Sequence, residues 1–158
     1  MSVGCEEYVD PPDAVNLHRL CWEPDDFDNG LPTTSVFPRD DLTDRYLSVH
    51  RMDRLDPSAV LRIADQQRQK AHADSNDLVR EDAMSVILSC SEVRTATDSE
   101  GVRPFIVSPE REQDDRAHCG IRNVTGKRGR GYVNQLRSLL LERIVETSRL
   151  TDTLVRYQ

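Results

Sequence analysis

The stretch YVNQLRSLLLERIVETSRLTDTLV, Tyr132–Val155, decides how the whole chain is read. Its apolar residues include Tyr132, Val133, Leu136, Leu139, Leu140, Ile144, Val145, Leu150, Leu154 and Val155. These mostly three- and four-residue steps predict one long amphipathic helix over about 130–156. Its apolar stripe would need a partner surface, because an isolated helix gains little from propensity alone.

Upstream of that stretch the period changes from helical to alternating. Val15–Trp22 alternates Val15, Leu17, Arg19 and Cys21 against Asn16, His18, Leu20 and Trp22, which predicts a first strand. A turn follows through Asn29-Gly30, a pair that accepts positive φ, and Leu31–Phe37 reads as a short extended edge bounded by Pro38. Tyr46–Met52 alternates again and predicts a second full strand. Asp56 as N-cap, Pro57 at the first helical position and the face Val60, Ile63, Ala64 predict a helix to about His72. Met84–Cys90, aliphatic on both faces, reads as a buried strand; Arg103–Ser108 and Ala117–Val124 complete the set. The expected fold is α+β: a single domain of about five mostly antiparallel strands with two or three helices, including the long C-terminal one. Residues 1–14 read as an irregular N-terminal tail, and 15–158 as the domain.

Composition narrows the function classes. The chain has 158 residues and a net charge of −7, a length that suits one domain. No apolar run approaches the roughly 20 residues that span a bilayer, and the acidic start has no signal-peptide layout. A cytoplasmic protein with no membrane association is expected. The charge is segregated: Met1–His50 holds eleven acids and three arginines, whereas Arg116–Leu141 holds six bases and no acid. That basic stretch either neutralises the acidic end of its own chain or meets an external anion. Nucleic acid is the less favoured partner, since the chain is acidic overall and Tyr132 is the only aromatic residue there able to stack on a base.

The motifs that carry chemistry are few. Asp25–Gly30 places a glycine as a calcium loop would, but the third ligand position is Phe27 and the twelfth is Val36, so a plain turn is expected. Gly126–Gly131 is glycine-rich and basic ahead of a helix start, which makes Lys127, Arg128 and Arg130 candidate anion ligands. Zinc through Cys119 and His118, helped by His18 or Cys21, lacks any paired ligand spacing; no metal and no cofactor is expected. His18, Arg19, Ser35, Ser48, His50 and His118 lie on or beside predicted strands and could line a polar cleft. Within it a histidine serves as a base and an arginine as a carboxylate or phosphate clamp, so His18, Arg19, Ser35, Ser48 and His118 are the catalytic candidates.

Several stretches together resemble a widespread family of small bacterial proteins without established biochemistry. They are Leu17-His-Arg19, Leu31-Pro-Thr-Thr-Ser-Val-Phe37, Leu47-Ser-Val-His-Arg51 and Arg116-Ala-His-Cys-Gly-Ile121, in that order. The family carries an early strand with Tyr/Trp-Arg, a Pro-Ser-Ser-x-x-Phe segment, a Leu/Met-Ser-Val strand and a late Asn-Pro-Ala-His motif. Here Thr33-Thr34-Ser35 replaces the paired serines, and Asp114-Asp115-Arg116 stands where Asn-Pro is usual. Members look like components encoded beside mobile-element or anti-phage genes. The resemblance implies an accessory or interaction role in a bacterial conflict or defence assembly, through a protein partner or self-association on the C-terminal helix. The alternative is a small enzyme or ligand-binding domain, loosely similar to ADP-ribosyltransferase-like folds, using the polar cleft.

Overall fold

The computed structural model describes residues 9–73, 80–110 and 116–156. In chain order it contains β1 (Asn16–Pro24), β2 (Phe27–Asp28), β3 (Leu31–Pro32), β4 (Leu47–Arg51), α1 (Pro57–Ala73) and β5 (Arg80–Ser89). There follow α2 (Cys90–Thr95), β6 (Phe105–Pro109), β7 (His118–Asn123), α3 (Arg130–Glu142), β8 (Ile144–Arg149) and α4 (Leu150–Arg156). Six strands form one sheet in the order β6-β7-β4-β1-β5-β8, every neighbouring pair antiparallel. The fold is α+β, with a separate two-stranded ribbon of β2 and β3.

Local chemistry accounts for most of these boundaries. Asn29 (φ 52°) and Gly30 (φ 78°) supply the two consecutive positive φ values that a tight β2–β3 hairpin requires. The Asp56 carboxylate accepts the Ser58 N–H at 3.0 Å just before Pro57 opens α1. The Ser89 hydroxyl accepts the Glu92 N–H and starts α2 where β5 ends. The expected extended edge over Leu31–Phe37 is only half realised. β3 stops at Pro32, and Thr33 caps a 3-10 turn over Thr34–Val36 by accepting the Ser35 N–H. Of the expected tail, Met1–Tyr8 lies outside the described residues, while Asp13 accepts the Ser91 N–H on its backbone carbonyl and pairs with Arg94 at 2.8 Å.

The main correction concerns the C-terminal stretch. The expected helix over about 130–156 is a helix, an edge strand and a second helix; with α2 this gives six strands in the sheet and four α-helices among the described residues. Arg143, at φ −94° and ψ 1°, ends α3 by giving its N–H to the carbonyls of Leu140 and Leu141. From Ile144 the chain pairs with β5, in register Val86–Thr147, Ser85–Ser148 and Met84–Arg149. Two causes favour the strand. Glu146-Thr147-Ser148-Arg149 interrupts the apolar stripe for four residues, longer than one helical face tolerates. The central residues of β5, Met84–Leu88, are buried on both faces, so its outer N–H and C=O groups need a partner strand.

The apolar stripe of α3 is thereby spent within the fold. Val133, Leu136 and Leu140 are fully buried against Leu17, Val49, Val86, Leu88 and Ile121 on one face of the sheet. On the other face Trp22 packs with Val60 and Ala64 of α1 and with Leu150 and Leu154 of α4. That second face also carries a polar band across its centre.

Candidate functional site at a split between strands β1 and β4

β1 and β4 pair at Leu17–Arg51 and His18–His50 and then part, while β1 continues along β5 as far as Pro24. The Arg51 N–H donates to the Ala117 carbonyl of the chain leading into β7. By the alternation of an antiparallel ladder, Ser48 and His50 therefore turn their backbone groups toward β1. His50 meets β1; Ser48 meets the opening. Arg19 fills it from β1. Its Nη1 donates to the Ser48 carbonyl at 2.8 Å, its Nε donates to the Val36 carbonyl at 2.6 Å, and its Nη2 lies 3.9 Å from Asp41. A guanidinium thus does the work of the missing ladder bonds and holds the split open at a fixed width.

A cavity of about 1010 Å³ extends from this split to α1, whose Ile63, Gln67, Lys70 and Ala71 also line it. Arg19, Ser35, Ser48 and His118 line it together with Tyr46, His50 and Trp22. Four of the five catalytic candidates therefore converge on one space from β1, the turn after β3, β4 and β7. Ser48 Oγ and His118 Nε2 are 2.6 Å apart. The imidazole of His118 packs between His50, with ring centroids 5.4 Å apart, and Tyr46, at 5.8 Å. Gly120 shows why β7 allows this packing. A Cβ there would lie 2.8 Å from Tyr46 Cδ2 and 2.9 Å from Glu110 Oε1, so only glycine lets the Tyr46 ring lie against the strand. Arg122 covers the Tyr46 ring at 4.8 Å and is itself held by Glu110 at 2.7 Å.

The fifth candidate, His18, does not line the cavity. Directly opposed residues share a face, so the registers His18–His50 and His50–His118 set three imidazoles in a row across β1, β4 and β7. His18 is the sealed end of that row, fully buried, with Nε2 2.8 Å from Ser85 Oγ. Burial, with a smaller contribution from His50, pushes its pKa down to about 3, so it is neutral.

The zinc candidates divide between the two faces. Cys21 and Cys119 point into the apolar core, whereas His18 and His118 belong to the polar row. Burial raises the Cys119 thiol to about 11 and the Cys21 thiol to about 12, so neither is a thiolate near neutrality. Among the described residues no cluster of three or more His, Cys, Asp or Glu is placed to hold a metal ion. The anion candidates lie away from the cavity, in the loop before α3. Lys127 reaches Glu100 at 3.1 Å and the Tyr132 ring at 5.1 Å, Arg128 pairs with Asp44 at 2.8 Å, and Arg130 is exposed at the start of α3. Among the described residues no helix is long and apolar enough to cross a membrane.

Tyr46, Gly120 and Asp26 were not among the candidate site residues, and the first two had a signal in the sequence. Tyr46 shares the two-residue period of Ser48 and His50 and so belongs to their face. Gly120 inside a predicted strand marks a close approach of something bulky. Asp26 carried none: its role depends on the hairpin folding back, where its carboxylate accepts the Trp22 N–H at 2.8 Å. In comparisons with family models, curated proteins and solved structures, the chain matches none.

Proposed function

We propose that the chain is a ligand-binding domain for a small polar molecule, held in the split between β1 and β4. One observation carries this reading: polar side chains from separate elements converge on a concave space of about 1010 Å³. A small molecule suits the site better than nucleic acid, because Asp25, Asp26 and Asp41 line it alongside Arg45, Lys70 and Arg80. A phosphate backbone would meet those carboxylates unfavourably. Trp22, the single tryptophan, lines the same cavity and reports on occupancy. Titration with amino acids, dicarboxylates, sugar phosphates and nucleotides is expected to change Trp22 emission saturably for at least one class. The same ligand should raise the melting temperature. A panel that moves neither signal overturns the reading.

A second reading is the accessory role in a bacterial conflict or defence assembly. Its support is the order of the motifs, together with β8, which lies at the edge of the sheet with Val145 51% exposed. Of the apolar stripe that suggested a partner surface, Val133, Leu136, Leu140, Leu150 and Leu154 are buried within the fold, and Val145 and Val155 stay exposed. Stoichiometric co-purification with the product of a neighbouring gene is the expected outcome. Recovery from the native host as a lone monomer rejects it.

A further inference from the structure

Among the described residues, two serine–histidine pairs occupy the polar face of the sheet. They differ in access at the serine, since His118 is as buried as His18 whereas Ser48 is half-buried. Ser85 and His18 are both fully buried, and neither lines the cavity. Ser48 and His118 are 2.6 Å apart and both line it. A hydroxyl is a weak nucleophile unless a base within about 2.6–3.2 Å takes its proton, and the second pair meets that requirement beside a space able to admit a substrate. We propose that Ser48 is a nucleophile and His118 its general base, acting on carboxylic esters bound in the β1–β4 cavity. The proposal rests on the cavity being a ligand site.

The chemistry needs only ester and water. With the proton of His118 on Nδ1, Nε2 accepts the Ser48 O–H. As Oγ forms its bond to the ester carbonyl carbon, the hydroxyl proton passes to Nε2 and the carbonyl π pair moves onto the carbonyl oxygen. When that intermediate collapses, the C–O bond to the alcohol breaks and the alcohol leaves with the proton from Nε2. An acyl group remains on Ser48. Water then attacks the acyl carbon, gives one proton to Nε2, and releases the acid as Ser48 Oγ recovers that proton. The sum is ester plus water to acid plus alcohol.

Two structural features prepare the pair. Tyr46 and His50 flank the His118 imidazole and fix its plane, with the Tyr46 ring itself held between Gly120 and Arg122. Arg19, bonded to the Ser48 carbonyl, fixes the nucleophile's backbone as a positioning residue. An ester is preferred to an amide as substrate class because an alcohol leaves more readily than an amine, and so demands less of the acid–base pair.

A fluorophosphonate probe, which reacts preferentially with activated serines, tests this on the intact chain. The expected result is one adduct, mapped to Ser48, absent in Ser48→Ala and formed at least tenfold more slowly in His118→Gln. Ser85→Ala should label like the wild type, and the melting temperature of each variant checks its fold. Hydrolysis of p-nitrophenyl acetate should follow the same order. No adduct on well-folded wild type, or an adduct on a residue other than Ser48, overturns the proposal. Should labelling fail while Trp22 emission still reports a saturable ligand, the nucleophile falls and the binding reading stands. Should both fail, the two fall together.

Discussion

Arg19 shows how one side chain can determine where a sheet opens. It stands on the core side of β1 between Leu17 and Cys21, where an aliphatic residue would ordinarily pack. Its guanidinium instead satisfies two backbone carbonyls, those of Val36 and Ser48, that the parted strands leave facing it. Lysine keeps the charge but presents a single ammonium with no fork. Arg19→Lys is therefore expected to leave at least one of those carbonyls without its charged donor, at a cost of roughly 1.5–3 kcal/mol. Urea denaturation followed by Trp22 emission measures it, and an unchanged midpoint refutes the bridging role. The same substitution should weaken ligand response at the cavity, because Ser48 loses its backbone anchor. Alternation in the sequence does place Arg19, Ser48 and His118 on strands. It does not say that the two strands separate after His18, since that depends on register and on the turn that carries Val36.

At the scale of elements, six segments announced themselves through local signals. β1, β4, β5, β6 and β7 show apolar or alternating runs with turn residues between them, and α1 has its Asp56 cap and Pro57. The last third misleads because its apolar residues fit a helical stripe on both sides of a polar gap. Ile144, Val145 and Thr147 are β-branched, yet that preference is weak, and the deciding influence is β5, about sixty residues earlier. Non-local pairing of this kind has no local signature. It does have a consequence. β8 covers the outer edge of β5, and α4 contributes Leu150 and Leu154 to the cluster around Trp22. A chain ending at Glu142 is thus expected to lose a cooperative thermal transition, not merely to shorten. Had the segment been a helix projecting beyond α3, the truncated chain would keep its transition and the Trp22 emission of the full chain; that result would reject the pairing.

For the molecule as a whole, the segregated charge of the sequence resolves partly into contacts between its own two ends. Arg128 from the basic stretch meets Asp44 from the acidic third, and Lys127 meets Glu100, while Arg137 donates instead to the carbonyls of Phe37 and Thr34. The Arg128 and Lys127 pairs are exposed and add little to stability. The titrating group with more influence is buried. His18 is neutral in the fold, its pKa pushed from 6.5 to about 3 by burial and by His50, with Ser85 as its hydrogen-bond partner. Between those two values the unfolded chain binds a proton that the folded chain refuses. Stability therefore falls as pH drops through 6.5 toward about 3, and above 6.5 this residue makes no pH-dependent contribution. The full slope is about 1.4 kcal/mol per pH unit, so two units below 6.5 the loss from His18 approaches roughly 3 kcal/mol. Carboxylates titrate in the same range, which makes the informative quantity the difference between wild type and His18→Gln, where the amide retains a donor for Ser85. Urea midpoints at about pH 7.5 and pH 4.5 should converge for the variant relative to the wild type. Equal acid sensitivity in both proteins would mean that His18 is protonated in the fold and that the sealed end of the imidazole row is open to water.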